Sequence, residues 1–192
     1  RGKKGVGLSY AVSNRGACHL QMIDHDDSFE MPQNMFPEVG LVKPADRLDT
    51  SIDKVRIVKA AEDWKAMIDS LTVCAVHSFP GGPTPEVMFA LINSVTGWNM
   101  KPAELVKVGE RAINICRAFN IREGFSREDD TLPERLSDPL PDGQYKGQRM
   151  SNEELKSMLD NYYEIRGWDK RTGIPAPTRL KELGLDFVGD QL

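Results

Sequence analysis

The sequence predicts an all-α fold, an irregular helical domain with long ordered loops. Three observations carry this. Apolar residues recur at helical spacing in several separate segments. Capping residues open those segments, and glycine or proline closes them. No period-two alternation is sustained, and no internal repeat or low-complexity tract interrupts the pattern.

The chain has 192 residues, enough to bury a real core. It reads as one domain over 1–192, with a glycine-rich opener and following loop in 1–50 and a helical body in 51–192. Gly5, Gly7 and Gly16 crowd the opener and let the backbone approach a neighbour closely or take positive φ. Its end, "NRGACHLQM" from Asn14 to Met22, packs a cation, a glycine, a thiol and an imidazole between apolar flanks. That composition suits a metal site, a catalytic corner or a tight turn where a helix begins. From Asp24 to Thr50 the period is lost, and Pro32, Pro37 and Pro44 punctuate an irregular surface segment of the kind that often carries function.

Helical spacing resumes at Ser51, with Val55, Val58, Ala61, Met67, Ile68 and Leu71 apolar. Ser51 or Asp53 caps the start, and the helix should end near Ser70, before Pro80-Gly81-Gly82-Pro83. Thr84-Pro85 opens the next helix, which runs through Val87, Phe89, Ala90, Leu91 and Val95 to Gly97. Lys101-Pro102 opens another. Its apolar face should comprise Leu105, Val108, Ala112, Ile113, Ile115, Cys116 and Phe119, with Glu104, Lys107, Glu110 and Arg111 facing water. It ends by Gly124. A loop follows, with one helical turn at Pro133–Leu136. Ser151 and Glu154 form a capping box for a helix carrying Leu155, Met158, Leu159, Tyr162 and Ile165, which "RGW" ends. A short last helix spans Pro177 to Leu183.

Net charge is -4, which argues against a nucleic-acid or anionic-membrane partner. No apolar run approaches the roughly 18 residues of a membrane span. The start "RGKKGVGLSYAV" lacks the apolar core of a signal peptide, so the cytoplasm is expected. The chain opens without Met, as expected for a piece of something longer. Three cysteines are an odd count and too few for a disulfide framework, so thiols or metal ligands are expected.

Each chemistry-bearing residue has two readings. Cys74, just past a helix end in "DSLTVC", is a buried thiol or a metal or cluster ligand. With His77, Cys18 and His19 it reaches the count for zinc, although adjacent Cys18 and His19 chelate awkwardly. Cys116 is expected to pack in the core. His19 is a core side chain or a general acid/base, and His25 is a solvated loop residue. Arg15 is a surface ion-pair partner or an anion contact. Asp69 opposes the macrodipole at a helix C-terminus. It faces water or accepts hydrogen bonds from a ligand's N–H groups.

Taken in order, "RGKKGVGLSYAVSNRGACHL", "DSLTVC", "DDTLPERL", "YYEIRGW" and "LKELGL" resemble the carboxy-terminal third of tungsten-containing aldehyde:ferredoxin oxidoreductases. The resemblance covers nearly the whole chain. It implies a carboxy-terminal domain of a larger enzyme that holds a tungsten or molybdenum bis-pterin beside a 4Fe–4S cluster. Such enzymes oxidise aldehydes to carboxylic acids and pass electrons to ferredoxin. By the resemblance, Cys74 supplies the fourth cluster thiolate, the other three coming from a C-x₂-C-x₃-C run in the preceding domain. Asp69 and Arg15 contact the pterin, Ala75 approaches it through its backbone, and His19 beside the metal accepts a proton. The partners it implies are ferredoxin, an aldehyde or related small molecule and the remaining domains of the enzyme, with a homo-oligomer left open. This chain alone is expected to be inactive.

Two positions depart from the family pattern. Thr72-Val73 replaces Gly-Leu, and a β-branched residue resists the turn that glycine allows. Gln21 replaces a cation, removing a charge from the pterin side while keeping a hydrogen-bonding side chain. Some relatives are specialised for other low-potential chemistry, including aromatic-ring reduction. The Thr72-Val73 change favours a competing expectation, a non-catalytic helical binding or assembly domain of the same ancestry.

Overall fold

The computed structural model describes residues 1–21, 46–74 and 84–192. Seven α-helices lie among them: α1 (Lys4–Val12), α2 (Ile52–Ser70), α3 (Pro85–Thr96), α4 (Pro102–Arg122), α5 (Asn152–Arg166), α6 (Pro177–Glu182) and α7 (Asp186–Gly189). Short 3-10 turns at Arg127–Asp129 and Glu134–Leu136 punctuate the loop before α5. Among the described residues, β pairing is confined to two isolated bridges, and no helix is long and apolar enough to cross a membrane. The all-α expectation holds.

The boundaries follow the caps. Ser51 precedes α2, although its hydroxyl donates to Asp49 rather than capping the helix. The Thr84 hydroxyl accepts from the Val87 N–H, Pro85 fills the first turn of α3, and Gly97 closes it at φ 72°. Both halves of the Ser151–Glu154 capping box are made at α5. α1 was not foreseen. Its glycines weaken helix propensity, but Leu8, Ala11 and Val12 bury against Val55 and Val58 of α2 and Met158 of α5. Tertiary burial outweighs the local preference.

α4 lies antiparallel along α2. Leu105 and Val106 share a core with Met67 and Ile68 near the end of α2, and Ile113 shares one with Val55 and Val58 near its start. Gly109 sits at the crossing. A Cβ there would come within 1.8 Å of the Asp63 carbonyl oxygen, so only glycine admits this approach.

The buried face of α4 differs from the expected one. Glu110, Asn114 and Arg117 are buried, while Ile115, Cys116 and Phe119 are exposed. The polar residues go inward because each has a partner. Glu110 pairs with Lys59 and Arg179. Burial opposes its ionisation, but these cations outweigh it and hold its carboxyl below the usual range. Asn114 Oδ1 accepts from the Trp168 indole at 2.8 Å. Arg117 donates to Asp130 and to the Gly173 carbonyl, and its guanidinium lies 4.8 Å from the Trp168 ring centroid. The "DDTLP" and "YYEIRGW" motifs therefore meet in the core: Tyr163 also donates to Asp130, and both hold α4. In α3, likewise, Met88, Phe89 and Ile92 are buried and Val87, Leu91 and Val95 are exposed.

Candidate functional site

The end of α2 sets the site. The Val73 N–H bonds the Ile68 carbonyl, and the Thr72 N–H bonds that of Asp69. This is the paired closure that usually places glycine in the left-handed conformation. α5 ends in the same way, with Gly167 at φ 70°. In α2 the position is held by Thr72 at φ 58°, the one non-glycine residue with positive φ among those described. The turn expected to need glycine is made by a β-branched residue, at a cost of about 1–2 kcal/mol. Thr72→Gly is expected to stabilise the protein by about 0.5–1 kcal/mol, after glycine's greater chain entropy is subtracted. A urea midpoint raised at unchanged slope is the check; a lowered midpoint would show that Thr72 is not strained.

This turn leads the chain out to Cys74, which is exposed. The buried-thiol reading of Cys74 fails. Asp69, in the last turn of α2, has a half-exposed side chain that pairs with Lys65. The Lys65 side chain is only 5% exposed. A nearly buried cation thus offsets the unfavourable place of Asp69 at the helix end.

The opener comes to the same region. The Asn120 amide of α4 donates to the Asn14 carbonyl at 2.7 Å and ties the opener down. Ser13 donates to the Gln21 side chain. Arg15 and His19 are exposed, so the core reading of His19 fails. Arg15 donates to the Cys18 sulfur at 3.4 Å. The Leu20 backbone N–H, with Arg15 adding to it, lowers the Cys18 thiol below its ordinary value. Ala75, His25 and His77 lie outside the described residues. Among those described, no group of three or more His, Cys, Asp and Glu is placed to hold a metal ion.

A cavity of about 330 Å³ joins the two parts. Gln21 and Cys18 line one side, and Asp69 and Ala66 of α2 line another. That volume lies in the small-ligand range of roughly 300–1,000 Å³. Arg15, His19 and Cys74 are not among its lining residues. Cys116, expected in the core, is exposed and contributes to the wall.

The sequence reading missed a buried carboxylate in this cavity. Glu62 is 8% exposed and lines it together with Tyr162. Glu62 Oε2 accepts from the Tyr162 hydroxyl at 2.5 Å and from Arg166 Nη2 at 2.8 Å. Arg166, fully buried, also donates to Asp63 and to the Tyr162 oxygen. Burial pushes the Glu62 carboxyl up, and Arg166 and Tyr162 only partly offset this. One signal was available. Glu62, Ala66 and Asp69 are spaced i, i+4, i+7 and share one helix face.

The chain is thus a helical domain with a small-ligand-sized cavity and an exposed cysteine on the turn after α2. The family described as aldehyde ferredoxin oxidoreductase, domains 2 & 3, matches residues 1–185. Tungsten-containing aldehyde ferredoxin oxidoreductase of Pyrococcus furiosus is 37% identical over 190 residues, 96% of this chain and 28% of that protein. The protein of the same description from Thermococcus kodakarensis is 35% identical over 96% of this chain and 28% of its own length. The WOR-like subunit of aliphatic sulfonate oxidoreductase from Pyrococcus furiosus is 33% identical over 63% of this chain and 20% of that protein. Among solved structures, the active-site complex BamBC of benzoyl coenzyme A reductase, with 1,5-dienoyl-CoA, superposes with a TM-score of 0.61. It is 32% identical and covers 73% of this chain and 20% of its own. The chain belongs to the aldehyde ferredoxin oxidoreductase family. It spans less than a third of the length of these relatives.

Proposed function

We propose that this chain is the carboxy-terminal helical domain of a tungstopterin iron–sulfur oxidoreductase that oxidises aldehydes to carboxylic acids, with ferredoxin as electron acceptor. One observation carries the reading. A single cavity brings Gln21 of the opener to Asp69 of α2, and Cys74 follows five residues beyond on an exposed turn.

The residues present fit the groups the family implies. The cavity offers carboxylate and amide groups that suit the polar edge of a pterin, including one carboxylate oxygen, Glu62 Oε1, without a protein hydrogen bond among the described residues. For the cluster, Cys74 offers an exposed thiol on the turn after α2, which fits a single ligand completed by the remaining domains. When bound, the metal bis-pterin supplies the two-electron oxidation and the cluster the path for electrons. Asp69 accepts ligand N–H groups, and Gln21 gives or accepts a hydrogen bond without adding charge. Arg15 offers a planar fork of donors, and Ala75 contributes backbone. His19, which is exposed, accepts a proton through a ring nitrogen.

Cys74→Ala in the full-length enzyme is expected to lose the cluster. Iron per chain falls, and the low-temperature electron paramagnetic resonance of the reduced cluster disappears. Unchanged iron content with unchanged activity would overturn the reading in favour of the non-catalytic domain. The likeness to a benzoyl coenzyme A reductase complex, with Gln21 where the family has a cation, favours a second reading of the substrate. In it, an aromatic thioester ring is reduced instead. Assays of the whole enzyme with aldehydes and with aromatic thioesters separate the two.

A further inference from the structure

We propose that Glu62 Oε1 is an anchoring acceptor for the amino-heterocycle edge of the ligand in the α2 cavity. This rests on the pterin reading above and adds a residue to it. The two oxygens of Glu62 differ. Oε2 takes both protein hydrogen bonds, from Tyr162 and Arg166. Oε1 receives none among the described residues. Glu62 lines the cavity, so Oε1 is the carboxylate oxygen it has left for a ligand there.

The carboxylate is also held in place. Arg166 and Tyr162 grip one side of it, and both are essentially buried. A group fixed in this way binds without paying rotamer entropy. An ionised carboxylate only accepts hydrogen bonds, so its ligand must present N–H or O–H donors. A phosphate or carboxylate would be repelled. The same face of α2 carries Ala66 and then Asp69, a second acceptor. The seven-residue step from Glu62 to Asp69 spans about 10 Å along the axis. That length suits a flat fused-ring ligand lying along the helix over the small Ala66. The Asn14 and Gln21 amides on the opener side can answer either a donor or an acceptor on it. An aminopyrimidine edge, with adjacent N–H donors, fits the Glu62 end. A donor there also supplies the partner that the buried carboxyl lacks.

The test uses the whole enzyme and measures pterin per chain as its fluorescent oxidation product, with iron measured on the same sample. Two variants approach the cavity from different helices: Glu62→Gln removes the charge on α2, and Ala112→Leu fills space from α4. Both are expected to lose pterin at least fivefold while keeping iron and a cooperative melt. If Glu62→Gln fails to fold, Glu62→Asp, which keeps the charge but shortens its reach, takes its place, and Ala112→Leu tests the cavity alone. Wild-type pterin content in the folded variants overturns the role of Glu62 and leaves the function reading standing. A wild-type enzyme without pterin overturns both.

Discussion

Replacing Gly109 with alanine is expected to destabilise the protein by more than about 3 kcal/mol, beyond the usual range for overpacking. Two effects compete. Alanine is the better helix former, by about 1 kcal/mol. Against this, the added carbon would sit 1.8 Å from the Asp63 carbonyl oxygen and 2.8 Å from the Met67 nitrogen. Both are backbone atoms, so no rotamer change relieves the clash. α2 and α4 must move apart along their length. That separation loosens the Leu105, Met67 and Ile68 packing and shifts the Lys59–Glu110 pair. For a chain of this size the loss corresponds to a fall of roughly 6–12 °C in melting temperature. A variant melting at or above the wild-type temperature would show that the helices do not cross at Gly109.

Arg166→Met should cost about 3–5 kcal/mol at neutral pH. Arg166 bridges Glu62 and Asp63, and all three are buried. Methionine fills much of the volume but leaves the buried Glu62 carboxylate without its cation, while Asp63 keeps Lys59. The deficit should shrink as pH falls from 8 towards 5. Burial already raises the Glu62 carboxyl in the folded state, and loss of Arg166 raises it further. Between the raised folded value and the unfolded value, the folded chain binds more protons than the unfolded one. Stability then rises as pH falls. Denaturant titrations at pH 8 and pH 5 check this. A loss under about 1 kcal/mol at both would mean that water or rearrangement replaces the guanidinium.

Helix boundaries were legible because caps are local. Thr84-Pro85, Ser151 with Glu154, Gly97 and Gly167 act within a few residues of themselves, and all of them operate as read. Burial faces were less legible. Glu110, Asn114 and Arg117 look solvent-facing until Arg179, Trp168 and Asp130 arrive from distant parts of the chain. With those positions inside, Ile115, Cys116 and Phe119 turn outward. Of the site, Asp69 and Gln21 were read from the sequence and meet in one cavity. Glu62 was not read, because its spacing with Ala66 and Asp69 marks a shared helix face but not burial.

The sequence by itself determined the helical class, the order and ends of most helices, and the family. Those properties rest on short-range caps, periodicity and motif order. Tertiary structure alone decided that the glycine-rich opener contains a helix, which faces of α3 and α4 are buried, and that Glu62 lines a cavity. Those outcomes depend on partners up to about 150 residues away. A side chain's environment is set by what packs on it, and no local pattern encodes that.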